Sequence, residues 1–325
     1  MRKSLDPHLD TASRYRVFAD IEARGMSATY ERWARAIADD PTVLALIDGL
    51  PTLKRQPNLV LSSARWVGVP DSTDDIAGWL AEHWPEVSAV ALDHATQTNE
   101  PARCATLLPV LASIPGPLAL LEVGASAGLC LFPDRYSYRY SDGTELDPPT
   151  GRSAVVIECE VARDVPLPER LPEVVWRRGI DLHPLDIADT DDVAWLDALI
   201  WPEHDDRRRR LHDAVGIVRA EPPQIDTGDL VDRIEQTIAE APEDATLVVF
   251  HTAVLAYLPR DRRARFVELV RESRARWISA EARGIVPGID DPDGGEAGDF
   301  VLALDSRPLA FVQPHGRAIR WSATP

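Results

Sequence analysis

The stretch Leu118–Leu131, LALLEVGASAGLCL, holds the residues best placed to do chemistry. An apolar run from Leu118 to Val123 stops at Gly124-Ala125-Ser126-Ala127-Gly128 and passes into the start of a predicted helix. A short apolar run bounded by glycine reads as a buried strand. A strand, a glycine-containing turn and a helix bring free backbone N–H groups to one point, which suits an anion or a nucleotide. Two chemistries fit the same letters. Glu122-x-Gly124-x-x-x-Gly128 is a nucleoside-cofactor loop, and Gly124-x-Ser126-x-Gly128 is the nucleophile elbow of a serine hydrolase.

Further polar residues close predicted strands: Asp181, Asp229, His251 and Glu281. In an open parallel sheet, ligands sit beyond the carboxyl ends of the strands, so these four join Glu122 as candidate site residues. His251 and Glu281 are the candidate bases. Two dense polar clusters lie near helix ends: Lys54, Arg55, Gln56 and Asn58, then Gln97, Asn99, Glu100 and Arg103. They are expected to close over the pocket. Each residue also has a plainer role. Ser126, Asp181 and Asp229 suit turns and helix caps. His251 suits a hydrogen-bonded structural histidine, and the clusters suit solvated loops.

The elements that must position these residues fall into two parts. Residues 1–115 read as all-helical. Ser27 caps a helix with Tyr30, Trp33, Ala34, Ile37 and Ala38 on one face. Asp40-Pro41 opens the next helix and Gly49 ends it. Further helices are expected over about 59–67, 74–84 and after Pro101, with a kink at Pro109. Ile114-Pro115-Gly116-Pro117 marks the boundary. From 116 to 325, strands alternate with helices, which argues for a parallel sheet with crossovers. Strands are expected at 173–180, 223–227, 246–250 and 276–280. An inserted strand pair is expected near 132–172, where Tyr136-x-Tyr138-x-Tyr140 alternates. Strands also form the tail at 300–304, 309–312 and 318–321.

Bulk properties narrow the function. The 325 residues suggest one large domain with an accessory part, or two domains. The net charge of −18 and pI near 4.8 disfavour broad nucleic-acid binding, since such a chain repels phosphate backbones. The run Arg207–Arg210 reads as a solvated helix face. Cys104, Cys130 and Cys159 have neither metal nor disulfide spacing and read as reduced thiols. The N-terminus lacks a secretory apolar segment, and no run approaches the ~18 apolar residues of a membrane span. A cytoplasmic protein with a small-molecule substrate is expected.

A glycine turn after the first strand, an acid after the next and Gly228-Asp229 after the third resemble class I S-adenosylmethionine-dependent methyltransferases. That resemblance implies a Rossmann-like sheet ending in an antiparallel hairpin, with S-adenosylmethionine as cofactor. It places Gly124, Ala125, Ser126 and Gly128 at the methionine and ribose part, Asp181 on the ribose hydroxyls and Asp229 on the adenine amine. A carboxylate suits a ribose diol because it accepts two hydrogen bonds at once. Nearly the whole chain also resembles the bacterial family catalogued as domain of unknown function 2332. The segments that carry it are LKRQPNL, TQTNEPARCATLLP, LLEVGASAGL, RRGIDLHPLDI, WPEH, GDLVD, VVFHTAVLAYLP and ARWISAE, in that order. This second resemblance implies a methyltransferase-like fold and brings no reaction with it.

The hydrolase reading needs serine, then an acid, then histidine along the chain. Ser126, Asp290 or Asp299, and His315 supply that order. Against it, no His-Gly-Gly segment for an oxyanion hole lies upstream, and helices stand where strands should precede the elbow. A third reading keeps the nucleoside pocket without catalysis.

Overall fold

The computed structural model describes residues 9–162, 164–296 and 298–322. Residues 1–8 of the N-terminal stretch read for a leader lie outside them. The described residues form mixed α/β structure, with eleven α-helices and eleven strands joined in one mostly parallel sheet. No helix among them is long and apolar enough to cross a membrane.

The chain divides into two compact units. The first comprises the chain up to Thr98 together with Thr190–Arg209. It holds α1 (Thr11–Val17), α2 (Ala28–Asp39), α3 (Pro41–Asp48), α4 (Pro57–Val67), α5 (Ile76–Glu82), α6 (Trp84–Asp93), α8 (Thr190–Ala198) and the first residues of α9 (Asp205–Ala220). Capping explains several boundaries. Ser27 Oγ accepts the Tyr30 amide at α2, and Asp40 Oδ1 accepts the Thr42 and Val43 amides at α3, whose first residue is Pro41. Gly68, at φ 110°, ends α4 in the left-handed conformation that glycine adopts freely. The returning segment is tied in by side chains. Arg65 donates to the carbonyls of Ala198 (2.9 Å) and Ile200, and Trp201 Nε1 donates to Asn58 Oδ1 (2.7 Å).

The second unit comprises Asn99–Asp189 and the chain from Arg210 onward. Its helices are α7 (Arg103–Ser113), most of α9, α10 (Leu230–Ala239) and α11 (Arg260–Glu272). Its strands are β1 (Leu118–Val123), β2 (Ser137–Tyr140), β3 (Glu145–Leu146), β4 (Val156–Val161), β5 (Val174–Asp181), β6 (Gln224–Thr227), β7 (Thr246–Thr252), β8 (Arg276–Ala282), β9 (Phe300–Leu304), β10 (Arg307–Val312) and β11 (Ala318–Trp321). Their order is β3-β2-β4-β11-β10-β9-β8-β7-β1-β5-β6. Every residue of β1 is buried, as its unbroken apolar run requires of a strand with parallel neighbours on both sides. Ala119, Leu121 and Val123 join Val249, Trp277, Ile234 and Phe266 in the core beneath α10 and α11. Leu118, Leu120 and Glu122 point to the opposite face.

Pro109 sits inside α7 and has no N–H for the Ala105 carbonyl one turn back. The Tyr140 hydroxyl donates to that carbonyl instead, at 2.8 Å. Tyr136, Tyr138 and Tyr140 are all buried, as their alternation requires.

Two expectations need correction. The glycine turn does not pass into an α-helix: Leu129–Leu131 is a single 3-10 turn. Gly128 enters it at φ 73°, and Pro133 restricts Phe132 just beyond, so helical geometry is blocked at both ends. The insert is three strands rather than an isolated pair. β2 pairs with β3 antiparallel and with β4 parallel, and β4 pairs with β11, so the insert lengthens the same sheet.

Candidate functional site

The bend at 124–128 lies where β1 ends between β5 and β7. Three of its residues have positive φ: Gly124 at 72°, Ser126 at 54° and Gly128 at 73°. Only glycine adopts such angles freely, so Ser126 is strained. Asp181, at the tip of β5, reaches the bend directly. Its Oδ2 accepts the Ser126 amide at 2.7 Å, and its Oδ1 accepts the His183 amide at 2.8 Å. Asn99 is a second anchor. Its side chain donates to the Ala125 carbonyl (3.3 Å) and accepts the Leu129 amide (3.2 Å). The structure therefore brings together Ala125, Ser126, Asp181 and Asn99, the last of which was expected in a lid.

Whether a nucleoside cofactor fits here depends on donors and space. The amides of Gly124 and Ala125 both donate to the Ile180 carbonyl, at 2.8 and 3.2 Å. Gly128 donates to the Ala125 carbonyl at 2.7 Å. With Ser126 and Leu129 also engaged, the bend is not a bare anion cradle. A Cβ on Gly124 would lie 2.9 Å from Val254 Cγ1, and one on Gly128 would lie 2.8 Å from Pro223 Cγ. The glycines thus make room for protein side chains. The acid side fits better: Asp181 has accepted one amide on each oxygen and retains further lone pairs for a diol.

Asp229 caps α10, accepting the Val231 amide at 2.8 Å, and pairs with Arg262, which also meets Asp232 at 2.9 Å. It has the helix-cap role that its position also allows. Arg103, the first residue of α7, is buried. Its Nη1 donates to both the carbonyl and Oγ1 of Thr252 at 3.0 Å, and its Nε donates to the Pro314 carbonyl at 2.9 Å. Arg55, Gln56 and Asn58 have partners within the first unit. Arg55 donates to the Leu50 and Asp48 carbonyls, Gln56 donates to the Leu53 carbonyl, and Asn58 accepts from Trp201. Gln97 is half-buried near the end of that unit.

His251 and Glu281 do meet, but in the core. The His251 ring is 0 % exposed and Glu281 is 1 % exposed. Trp277 Nε1 donates to His251 Nε2 at 3.1 Å, which puts the ring proton on Nδ1, and Nδ1 lies 2.7 Å from Glu281 Oε1. The same Oε1 accepts the amides of Val254 (2.8 Å) and Leu255 (2.9 Å). Phe266 covers the ring edge-on, with centroids 5.6 Å apart. Sequence reasoning missed Trp277 and Val254. The alternation Trp277-x-Ser279-x-Glu281 does place Trp277 on the Glu281 face of β8, whereas nothing in a single sequence singles out Val254.

Glu122 is another buried glutamate, 4 % exposed, and its Oε2 has no hydrogen-bond partner. Burial pushes its carboxyl well above the ordinary range. Nearby Cys130 and Asp181 push the same way, while Arg103 pulls it down. The Cys104 thiol donates to the Cys130 carbonyl at 3.5 Å, and Cys130 to the Glu100 carbonyl at 3.4 Å. All three cysteines are buried free thiols. Of the residues considered for a hydrolase, Asp290 is exposed, and Asp299 is held by Arg320 and by Gln313 at 3.0 Å. His315 lies in the turn before β11. No group of three metal-ligating side chains occurs among the described residues.

The family described as "Uncharacterized protein conserved in bacteria (DUF2332)" matches residues 12–321, so the chain belongs to that family, the one expected from the eight segments. No curated protein and no solved structure matches it.

Proposed function

We propose that the second unit is a Rossmann-like domain that binds S-adenosylmethionine, and that the chain transfers the methyl group to a small-molecule acceptor. The observation that carries this reading is the hydrogen bond from the Ser126 amide to Asp181 Oδ2. It joins the turn after the central strand to an acid at the tip of the next strand. The parallel run β6-β5-β1-β7-β8 supports it, because β1 has later strands on both sides. In doubly wound sheets such a reversal of strand order opens a ligand crevice at the carboxyl ends. Asp181 and the backbone of 124–128 would hold the nucleoside. When bound, the cofactor supplies an electrophilic methyl group. The chain's own contribution is alignment of donor and acceptor. His251 and Glu281 are sealed in the core, so the reading assigns no base.

Calorimetric titration of the full chain with S-adenosylhomocysteine tests this. Heat is expected, with affinity at least about tenfold weaker in Asp181→Ala, the loss expected of charge-assisted hydrogen bonds. A folded chain that gives no heat defeats the reading. One observation favours a serine hydrolase instead: Ser126 holds φ 54° inside Gly124-x-Ser126-x-Gly128, and a nucleophile elbow needs such strain. Fluorophosphonate labelling that disappears in Ser126→Ala would support it. The sealed His251–Glu281 pair favours a third reading, a non-catalytic binder. Tight cofactor binding without methyl transfer to any member of a metabolite panel would establish that one.

A further inference from the structure

We propose that the loop after β7 is a gate on the glycine bend, with Val254 as its stopper and Glu281 as the residue that latches it. The proposal rests on the cofactor reading above. A side chain on Gly124 would collide with Val254 Cγ1 at 2.9 Å, so the volume that this glycine leaves open is filled by Val254. One carboxylate oxygen fixes the stopper. Glu281 Oε1 accepts the amides of Val254 and Leu255, at 2.8 and 2.9 Å, and is itself oriented by His251.

The loop is also strained. Ala253 stands at φ 60°, which residues with a Cβ rarely adopt, and its amide is held by the Ala280 carbonyl at 3.0 Å. Ser126 is strained in the same way on the bend, at φ 54°, with its amide held by Asp181. Both sides of the closure thus combine an unfavourable backbone with a carboxylate that restrains it. Outward displacement of the loop would relax Ala253 and clear the space over Gly124. The neighbouring Tyr257 is 61 % exposed and offers little resistance, so the fully buried Leu255 sets the cost of that movement. Glu281 then acts as a positioning residue, through Val254, rather than as a base.

A ligand that binds only the opened form has its apparent affinity reduced by the fraction of molecules that are open. The full chain and its Val254→Ala variant are titrated calorimetrically with S-adenosylhomocysteine. The variant is expected to bind about tenfold tighter, as a shift of the closed fraction by that factor dictates. Its Leu255 amide should also exchange faster. Binding by the wild type with equal or weaker affinity in Val254→Ala overturns the gate and leaves the cofactor reading standing. No heat from either folded protein overturns both. A cofactor-free arm tests the stopper itself. Gly124→Ala should lower the unfolding midpoint, and adding Val254→Ala should restore part of the loss. Absence of any restoration means that Val254 does not fill that space, and the gate falls.

Discussion

Two buried glutamates, on strands separated only by β7, have opposite surroundings. Glu281 on β8 faces the core beneath α10 and α11. One of its oxygens accepts three N–H groups, from His251, Val254 and Leu255. Glu122 on β1 faces the other side of the sheet, where its Oε2 accepts nothing and burial drives its carboxyl toward the neutral form. The donors around Glu281 Oε1 set the two sites apart, since Glu281 Oε2 is, like Glu122 Oε2, without a partner. A carboxyl oxygen that gathers several amides organises the backbone that supplies them. Burial without such donors raises the carboxyl pKa of Glu122.

The contrast predicts unequal penalties. Glu281→Ala strips the acceptor from two buried amides and an imidazole at once, and should destabilise the chain by roughly 3–5 kcal/mol in denaturant unfolding. A loss under about 1 kcal/mol would mean that these amides find water or other partners. That result would erase the distinction between the two glutamates.

Glu122 should respond to pH rather than to loss of donors. Its folded-state pKa is raised well above the ordinary 4.5, so over that range the folded chain retains a proton that the unfolded chain has released. Stability from this group is therefore fully present below about pH 4.5 and declines as pH rises toward the folded value. The slope for one proton is at most about 1.4 kcal/mol per pH unit. Glu122→Gln cannot ionise. Its unfolding free energy, compared with wild type, should be close to unchanged near pH 4.5 and increasingly favourable as the pH rises above that. Parallel pH profiles for the two proteins would place a charge on Glu122 and break the comparison.

How much of this was legible in the sequence depended on the range of the interaction. The strand–glycine bend and its neighbouring acid were found, because an apolar run, a glycine and a strand-ending Asp181 are local signals. Ser27 and Asp40 were legible as caps for the same reason. The missing helix after Gly128 was not, because the positive φ of Gly128 shows only in the structure, although Pro133 beyond Phe132 is a local signal. The sealing of His251 was hidden as well. Its position at the end of an apolar strand suits a base at a sheet edge, and only the packing of Phe266 and the indole of Trp277 shows that it lies inside. The glycines were ambiguous for a related reason. A glycine needed so that Val254 can approach has the same letter as one needed so that a phosphate can.

The smallest effect is the most local. Trp277→Phe retains an aromatic ring near Phe266, which the indole meets edge-on with centroids 6.4 Å apart, and deletes only the N–H that reaches His251 Nε2. An unfulfilled buried acceptor should cost about 1–2 kcal/mol, less than removal of Glu281 because one bond is lost instead of three. The loss also removes one of the two groups that hold the ring proton on Nδ1, the other being Glu281 Oε1, which accepts it. Nitrogen chemical shifts of His251 should report a single Nδ1–H tautomer in the wild type and a mixture in the variant. If the tautomer is unchanged, Glu281 alone fixes the ring. The core network then reduces to one carboxylate and the groups that it gathers, and the contrast with Glu122 becomes sharper still.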